Sequence, residues 1–260
     1  MVELENLVKN KIVGVALHGK SIEELEERIE LFKDLDIVWV SLNAFDIIET
    51  YILNKINKKL SLIYCLADYW PEIEKNIRIP LLIEAINRGS LMIAKKYLFE
   101  NIFPENGAPD FFGKYRDKIF LIEDFIDINH FSIENLLSHY TVSSLGYILS
   151  TLSILKAKKI ILFGCDGGIK NDITSYYKSD IHIERRVLAP YKLKDFEDGM
   201  LFNIQSDTDI LNTEFWKTYL TCMTLFNITP PPILNCSPNS YVTTFPIITY
   251  DSLLKEHLCQ

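Results

Sequence analysis

Short apolar runs alternate with helical patterns along most of this chain, an arrangement that predicts parallel α/β units. One predicted helix, Ser21–Lys33, carries an apolar stripe at helical spacing, formed by Leu25, Ile29 and Phe32. Two further helices are predicted, over Ser144–Lys156 and Thr208–Phe226. The predicted strands are Ile12–Leu17, Ile37–Leu42, Leu60–Leu66, Ile119–Ile122, Lys159–Phe163 and Ile233–Cys236. Together these elements predict an α/β fold with a doubly wound, mostly parallel sheet.

The loops that follow the predicted strands are the first place to look for function. In a doubly wound sheet, ligands bind outside the carboxyl ends of the strands, where loops converge. The loop residues at this edge are Gly19, Asn43, Ser143, Ser144 and Gly164–Gly168. Ser144 also opens a predicted helix, so its hydroxyl and the free N–H groups of the first turn can meet an anion.

Residues 167–200 follow neither a helical nor a strand period and contain clustered charges and tyrosines. A segment of this length without regular structure is uncommon in a compact domain unless it serves a site. We therefore predict one domain formed by residues 1–166 and 201–260, with residues 167–200 inserted as a lid.

The segment Gly14–Ser21 matches the phosphate-loop pattern G-x-x-x-x-G-K-[ST]. A phosphate loop begins after a finished buried strand, but only Ile12 and Val13 precede Gly14 as apolar residues. A strand of ordinary length extends to Leu17 and places Gly14 inside it. We interpret the match as coincidental, with a turn before Ser21, which caps the next helix in a capping box with Glu24. Such a turn remains a place where an anion can bind.

Composition narrows the functional classes. The 260 residues have a formal net charge of −8, which argues against a broad nucleic-acid footprint. No apolar run reaches about eighteen residues, and no signal peptide is evident, so the predicted location is cytoplasmic with no integral membrane segment. Five cysteines without a C-x-x-C pair indicate reduced thiols and no metal held through cysteine. The oligomeric state stays open, a homo-oligomer included.

The order and spacing of six segments resemble the bacterial sialyltransferases that decorate lipooligosaccharide. More loosely, they also resemble the archaeal 6-hydroxymethylpterin diphosphokinases. The segments cover most of the chain: Gly19–Ile22, Ser41–Asn43, Val142–Ser144, Ile161–Asp166, Thr208–Phe215 and Cys236–Ser240 followed by Phe245. This resemblance implies a Rossmann-like nucleotide-binding domain with a lid after the strand that ends near Asp166.

The resemblance to the sialyltransferases also implies roles for individual residues around a CMP-sugar. The nucleotide-binding set is His18, Gly19, Ser21, Asn43, Ser143, Ser144, Gly164 and Asp166. The lid residues that would contact the leaving phosphate are Tyr176, Tyr177 and Arg185. The implied partners are a nucleotide-sugar donor and a glycan acceptor, with no tightly bound cofactor.

The chain departs from the family pattern where the family has its catalytic His, because Ile204 stands there and cannot accept a proton. An Arg of the family falls on Thr141, which offers no charged fork to an anion. His182, beside Arg185 and Arg186, is the candidate replacement for the base, and His139 is a second candidate.

Three functions are therefore compatible with the sequence. The first is a nucleotide-sugar glycosyltransferase acting in surface glycan synthesis. The second is a diphosphokinase that moves diphosphate from ATP to a small alcohol, with Mg²⁺ held by Asp166, Asp172 or Asp209. The third is a catalytically silent nucleotide-binding relative, which the isoleucine at position 204 favours.

Overall fold

The computed structural model describes the greater part of the chain. The described residues are 2–17, 19, 21–42, 52–65, 80, 82–95, 111–122, 144–167, 208–209, 211–213 and 215–258. The predicted lid beyond Gly167 lies outside these residues.

Seven parallel strands form one sheet in the described part of the chain. They are β1 (Ile12–Ala16), β2 (Ile37–Leu42), β3 (Leu62–Cys65), β4 (Leu91–Lys95), β5 (Ile119–Ile122), β6 (Lys159–Phe163) and β7 (Ile233–Asn235). The spatial order is β5-β4-β3-β2-β1-β6-β7. The chain thus winds outward from β1 in one direction through β5, and then in the other direction through β6 and β7. The predicted doubly wound α/β fold is confirmed.

Helices connect the strands. The labelled helices are α1 (Val2–Val8), α2 (Ile22–Arg28), α3 (Phe111–Lys114), α4 (Ser144–Ile154), α5 (Phe215–Leu225) and α6 (Tyr250–Leu258). There are also two 3₁₀ helices, Ile29–Phe32 and Leu53–Ile56, and further helical residues at 80, 82–87, 208–209 and 211–213. No helix among the described residues is both long enough and apolar enough to cross a bilayer.

Both faces of the sheet are buried, as expected for parallel strands covered by helices. Val13 and Val15 of β1 face a core that includes residues of α1, α4 and α5. Ala16 of the same strand faces a second core formed with α2, α6 and the two 3₁₀ helices. The apolar stripe predicted for the helix over Ser21–Lys33 lies in this second core. Its residues Leu25, Ile29 and Phe32 are each at most 1% exposed.

Gly14 lies in the middle of β1, where it pairs with Trp39 of β2 and Ile161 of β6. A Cβ atom at Gly14 would stand 3.0 Å from the Trp39 ring, which packs against Phe163 at a centroid distance of 5.5 Å. The first glycine of the phosphate-loop pattern therefore makes room for an aromatic cluster. The interpretation that Gly14 belongs to the strand is confirmed.

Several helices end in the same backbone geometry, with one residue in the left-handed region. At the end of α4, Lys156 has φ +60°, its N–H bonds to Ser153 O, and Ala157 N–H bonds to Leu152 O. This pair of bonds is the Schellman motif, which satisfies the last carbonyls of a helix. The same two bonds surround Asn57, Gly89 and Asn227. Sharp helix ends of this kind return the chain directly to the next strand.

The structure corrects some of the predicted elements. The helix predicted over Ser21–Lys33 is α2 followed by a 3₁₀ turn, and β4 (Leu91–Lys95) was not predicted. The β4 residues Leu, Met, Ala and Lys are good helix formers, so their local pattern does not favour a strand; the position between β3 and β5 decides it. The strands predicted over Ile12–Leu17 and Ile233–Cys236 each end one residue earlier, and the strand predicted over Leu60–Leu66 begins later, at Leu62.

Candidate functional site

The candidate site lies at the carboxyl ends of β1, β6 and β7. The strand order reverses between β1 and β6, because the chain continues from β1 to one side of the sheet and later returns to the other. Loops leaving such a pair of strands diverge and open a crevice, which is the usual ligand position in doubly wound sheets. Gly19 and Ser21 follow β1, while Gly164 and Asp166 follow β6. Four of the predicted site residues are thus brought together where the strand order reverses.

Asp166 connects two of these loops. The Ser21 N–H donates to Asp166 Oδ2 at 2.7 Å, and the Ser21 hydroxyl donates to Asp166 Oδ1. The Ser237 hydroxyl, after β7, lies 2.9 Å from the Ser21 hydroxyl. Asp166 is only 6% exposed. The carboxylate therefore ties the β1 and β6 loops together, and the Ser237 hydroxyl joins the β7 loop to them.

This contact replaces the predicted capping box. Ser21 has φ −62° and ψ −7° and makes no side-chain cap bond to its own helix. A hydroxyl that donates to a carboxylate in another loop is held away from the helix amides, so the box with Glu24 does not form. The carboxylate of Asp166 takes the position beside the Ser21 N–H that a capping oxygen or a bound anion would otherwise occupy.

Two further amides among the described residues of the turn are also engaged. The Gly19 N–H donates to Gly164 O at 2.8 Å, and the Ile22 N–H donates to Gly19 O at 3.1 Å. With the Ser21 N–H bound to Asp166, these donors point into the protein's own loops. The described amides of the β1 turn, those of Gly19, Ser21 and Ile22, are therefore not free to wrap an anion as the amides of a phosphate loop do.

Glycine is required on both sides of this loop contact. A Cβ atom at Gly19 would lie 2.5 Å from Gly164 O and 2.6 Å from the Asp166 carboxylate. At Gly164, φ is +70° and a Cβ atom would lie 2.8 Å from Leu17 O. The two loops approach each other more closely than any side chain would allow.

The loop after β7 holds the β6 loop from the other side. Asn235 Nδ2 donates to Cys165 O at 3.1 Å, and Ser240 Oγ donates to the same oxygen at 2.6 Å. The Cys165 N–H donates to Ser237 Oγ at 2.9 Å, and the Tyr241 N–H donates to Asp166 O at 2.7 Å. Both peptide units around Cys165 are therefore fixed by residues far away in the sequence.

Sequence reasoning did not assign roles to Asn235, Ser237 or Ser240, since a Ser-Pro-Asn-Ser run is typical of a plain turn. The position of Asn235 in the sequence, at the end of an apolar strand, was a signal that could have been used. A polar side chain at such a position is expected to be buried and to need hydrogen-bond partners, and Asn235 is fully buried.

Burial is the largest influence on the acidity of Asp166 and raises the pKa of its carboxyl above the usual 3.8. Hydrogen bonds from Ser21 and Ser237 act in the opposite direction, while the nearby Glu23 carboxylate raises the pKa further. Because burial penalises the ionised form, Asp166 makes the free energy of unfolding decrease as pH rises from the unfolded-state pKa of its carboxyl through the higher folded-state pKa.

The two buried cysteines near the site are protonated at neutral pH. Burial raises the pKa of the Cys165 thiol well above its usual value, with a smaller contribution from the Asp166 charge. Burial also raises the pKa of Cys236 to about 12. Because the thiolate is the nucleophilic form, neither thiol is suited to nucleophilic catalysis.

The remaining predicted residues are only partly covered by the structure. Ser144 is the first residue of α4, as predicted, although its side chain is not among the described ones. The predicted residues outside the described part of the chain are His18, Asn43, Ser143, Tyr176, Tyr177, His182 and Arg185. Asn43 follows β2, the strand that pairs with β1 on the side away from β6.

The candidate metal ligands can be placed only in part. No group of three or more His, Cys, Asp or Glu residues within the described ranges is arranged to hold a metal ion. Asp209 is one of the helical residues that precede α5, and its side chain is exposed. Asp172 lies outside the described part of the chain. Both oxygens of Asp166 already accept hydrogen bonds from Ser21.

Comparison with known proteins gives no family assignment: no protein-family model matches the chain, and no curated protein matches it. Among solved structures, the chain is similar to the monofunctional alpha-2,3-sialyltransferase Cst-I from Campylobacter jejuni, with a TM-score of 0.47 and 14% identity over 91% of this chain and 80% of that one. It is also similar to a Toxoplasma gondii ME49 protein whose assignment as a deoxyribose-phosphate aldolase is itself provisional, with a TM-score of 0.28 and 10% identity over 99% of this chain and 93% of that one. Similarities at these levels carry no argument about function.

Proposed function

We propose that this protein is a glycosyltransferase-like protein that binds a nucleotide-activated sugar of the CMP-sugar type and acts in surface glycan synthesis, such as that of lipooligosaccharide. The observation that carries the proposal is the convergence of the β1, β6 and β7 loops where the strand order reverses. The sequence resemblance described above supports CMP as the nucleotide.

In this proposal Asp166 acts on the donor indirectly. Its oxygens are engaged by Ser21, so its role is to hold the loops in place and not to touch phosphate. A carboxylate beside a phosphate would also repel it. The donor phosphate would instead meet the first turn of α4 at Ser144, where amides at a helix start favour negative charge.

The proposed transfer is a single displacement at the sugar. An acceptor hydroxyl oxygen bonds to the anomeric carbon, while the bond from that carbon to the CMP phosphate oxygen breaks and its electrons leave with CMP. His182 is the proposed base that takes the acceptor proton. Tyr176, Tyr177 and Arg185 are proposed to stabilise the charge that develops on the leaving phosphate.

The first test is thermal unfolding in the presence of nucleotides, because a ligand that binds only the folded state raises the melting temperature. We expect CMP to stabilise the protein, with cytidine as the control that lacks the phosphate, and ATP with Mg²⁺ to have no effect. Stabilisation by ATP with Mg²⁺ alone would instead indicate the diphosphokinase. CMP binding without hydrolysis or transfer of a CMP-sugar would indicate the silent relative. If no nucleotide has an effect, the nucleotide site is wrong.

A matched pair of variants shows whether the CMP effect belongs to the proposed position. In Ser144→Ala the loss of a hydroxyl that contacts phosphate should weaken CMP binding by about 1–2 kcal/mol. Thr249→Ala removes a helix cap elsewhere, since Thr249 Oγ1 accepts the Ser252 N–H at the start of α6. It should lower stability by about 1 kcal/mol and leave CMP affinity unchanged. Equal affinities in both variants would remove Ser144 from the site.

A further inference from the structure

A concave region lies at the opposite ends of the strands from the candidate site, beside the amino ends of β3, β4 and β5. It encloses about 420 Å³ and is lined by Glu3, Asn6, Leu7, Lys59, Ser61, Gly89, Leu91 and Lys118. We call it the amino-edge groove. Its volume falls within the range of about 300–1,000 Å³ that small-molecule sites occupy.

The groove is built by the starts of three strands and by α1. Ser61 immediately precedes β3, Leu91 opens β4, and Lys118 immediately precedes β5. Glu3, on α1, also lines the groove. The backbone at this edge belongs to the sheet, because the Ser61 N–H donates to Trp39 O and Lys118 O accepts the Met92 N–H. Side chains are therefore what the groove can offer to a ligand.

Two ammonium groups line the groove with little negative charge to balance them. Lys59 Nζ donates to the carbonyl oxygen of Arg88, and no carboxylate among the described residues lies within 4 Å of it. Lys118 Nζ lies 4.0 Å from Glu3 Oε1, and both side chains are partly exposed. An exposed pair at that distance is weak and is screened by solvent. The groove thus has a local positive charge in a protein whose formal net charge is −8.

Neutral donors accompany the two cations. The Asn6 amide and the Ser61 hydroxyl make no hydrogen bond to the described residues. Gly89 keeps the groove open, since it has φ +96° and a Cβ atom there would lie 3.0 Å from Lys59 Nζ. Leu7 and Leu91 supply an apolar part of the wall.

From these observations we propose that the amino-edge groove binds a phosphate group, through Lys59 and Lys118 with Asn6 and Ser61 as neutral donors. Lysine ammonium groups act as point charges with rotatable donors, and two of them beside neutral donors suit the several oxygens of a tetrahedral oxyanion. Glu3 competes with the phosphate for Lys118. The site is independent of the proposed nucleotide site, because the two lie at opposite ends of the strands.

The test is titration of the whole protein, followed by amide chemical shifts, with inorganic phosphate and with sodium chloride at matched ionic strength. We expect saturable shifts around Gly89, Leu91 and Lys118 with phosphate only. Phenyl phosphate, titrated in parallel, distinguishes the source of the group. Tighter binding than inorganic phosphate indicates a monoester whose organic part lies on Leu7 and Leu91, and equal or weaker binding indicates free phosphate.

Variants make the assignment specific. Lys59→Gln and Lys118→Gln should each weaken phosphate binding about tenfold, whereas Glu3→Gln should strengthen it because the competing carboxylate is gone. Lys9→Gln is the matched control, since Lys9 follows α1, pairs with Glu5 and does not line the groove. The absence of saturable shifts, or an equal loss in Lys9→Gln, would overturn the proposal. CMP binding at the carboxyl edge should be unaffected in every variant.

Discussion

Asp166 accepts hydrogen bonds at both carboxylate oxygens from one residue, Ser21, which lies 145 positions earlier in the chain. Bonds to an ionised group contribute roughly 1.5–3 kcal/mol each, and they offset part of the cost of burying the charge. The same carboxylate excludes a second anion from the Ser21 N–H. At this scale, one residue both closes the turn and directs a ligand phosphate elsewhere.

The close approach of Gly19 to Gly164 O and to Asp166 leaves no room for a side chain. Gly19→Ala should therefore lower the free energy of unfolding by about 1–3 kcal/mol, because the new methyl group forces the two loops apart. Denaturant titration measures this change from the shift of the unfolding midpoint, provided that the dependence of the free energy of unfolding on denaturant concentration is the same in both proteins.

Gly113→Ala is the control for that substitution, because a Cβ atom at Gly113 has no heavy atom within 4 Å. Gly113 lies in α3, so alanine there should stabilise the protein by up to about 1 kcal/mol. If Gly19→Ala is as well tolerated as the control, the close contact between the loops is not maintained in solution.

The Schellman motifs show how element ends depend on one backbone conformation. Glycine occupies the left-handed position after residues 82–87, but asparagine or lysine occupies it elsewhere. Asparagine tolerates this region better than lysine does, and a left-handed conformation costs a residue with a Cβ atom roughly 1–2 kcal/mol. The strained position among these helix ends is therefore Lys156.

Lys156→Gly should raise the free energy of unfolding by about 0.5–1 kcal/mol. The backbone strain is relieved, while the greater freedom of glycine in the unfolded chain takes back part of the gain. Both backbone bonds of Lys156, from its N–H to Ser153 O and from the Asn10 N–H to its carbonyl oxygen, can remain.

The reverse substitution provides the comparison for Lys156→Gly. Gly89 occupies the same position of its own helix with φ +96°, so Gly89→Ala should destabilise the protein under the same conditions. Changes of the same sign in the two variants would contradict the explanation by backbone strain.

At the scale of the whole molecule, the candidate site is assembled from both ends of the chain. Ser21 and Ser237 are separated by 216 positions, yet their hydroxyl oxygens lie 2.9 Å apart. The segment after β7 extends this connection, since the Asn235 N–H donates to Pro246 O and the Ile248 N–H donates to Asn235 O. Bringing such distant residues together costs conformational entropy, and the buried hydrogen bonds and the core must offset this cost.

A double-mutant cycle of Ser21→Ala and Ser237→Ala measures this long-range contact. Each single substitution should destabilise the protein by about 1–3 kcal/mol, because Ser21→Ala takes a donor from Asp166 Oδ1 and Ser237→Ala takes the acceptor from the Cys165 N–H. The pair should couple by at least about 0.5 kcal/mol, since the residues share one network.

Ser90→Ala combined with Ser237→Ala is the control cycle. The Ser90 hydroxyl is buried and donates to Leu60 O at 2.7 Å, but it lies at the amino edge before β4, several strands from Ser237. These two substitutions should be additive within about 0.5 kcal/mol. Equal coupling in both cycles would mean that the hydroxyl contact between Ser21 and Ser237 has no specific energy.

The sequence by itself determined the features that depend on short-range periodicity. The apolar runs predict six of the seven strands, and the stripe of Leu25, Ile29 and Phe32 predicts a buried helical face. Strand length alone places Gly14 inside β1. These features are local because a strand or a helix buries whichever face its own repeat makes apolar. The rule for doubly wound sheets then directs attention to Gly19, Gly164 and Asp166.

Only the tertiary structure decided which groups those residues meet. The strand order, the pairing of β4 and the direction of the Asp166 carboxylate toward Ser21 depend on partners from distant parts of the chain. The same is true of Ser237, whose sequence indicates an ordinary turn. The Ser21 hydroxyl could either accept a hydrogen bond from an amide of its own helix or donate one to Asp166, which is distant in the sequence. The packed fold selects the distant one, because a buried carboxylate left without donors would cost more than a helix cap contributes.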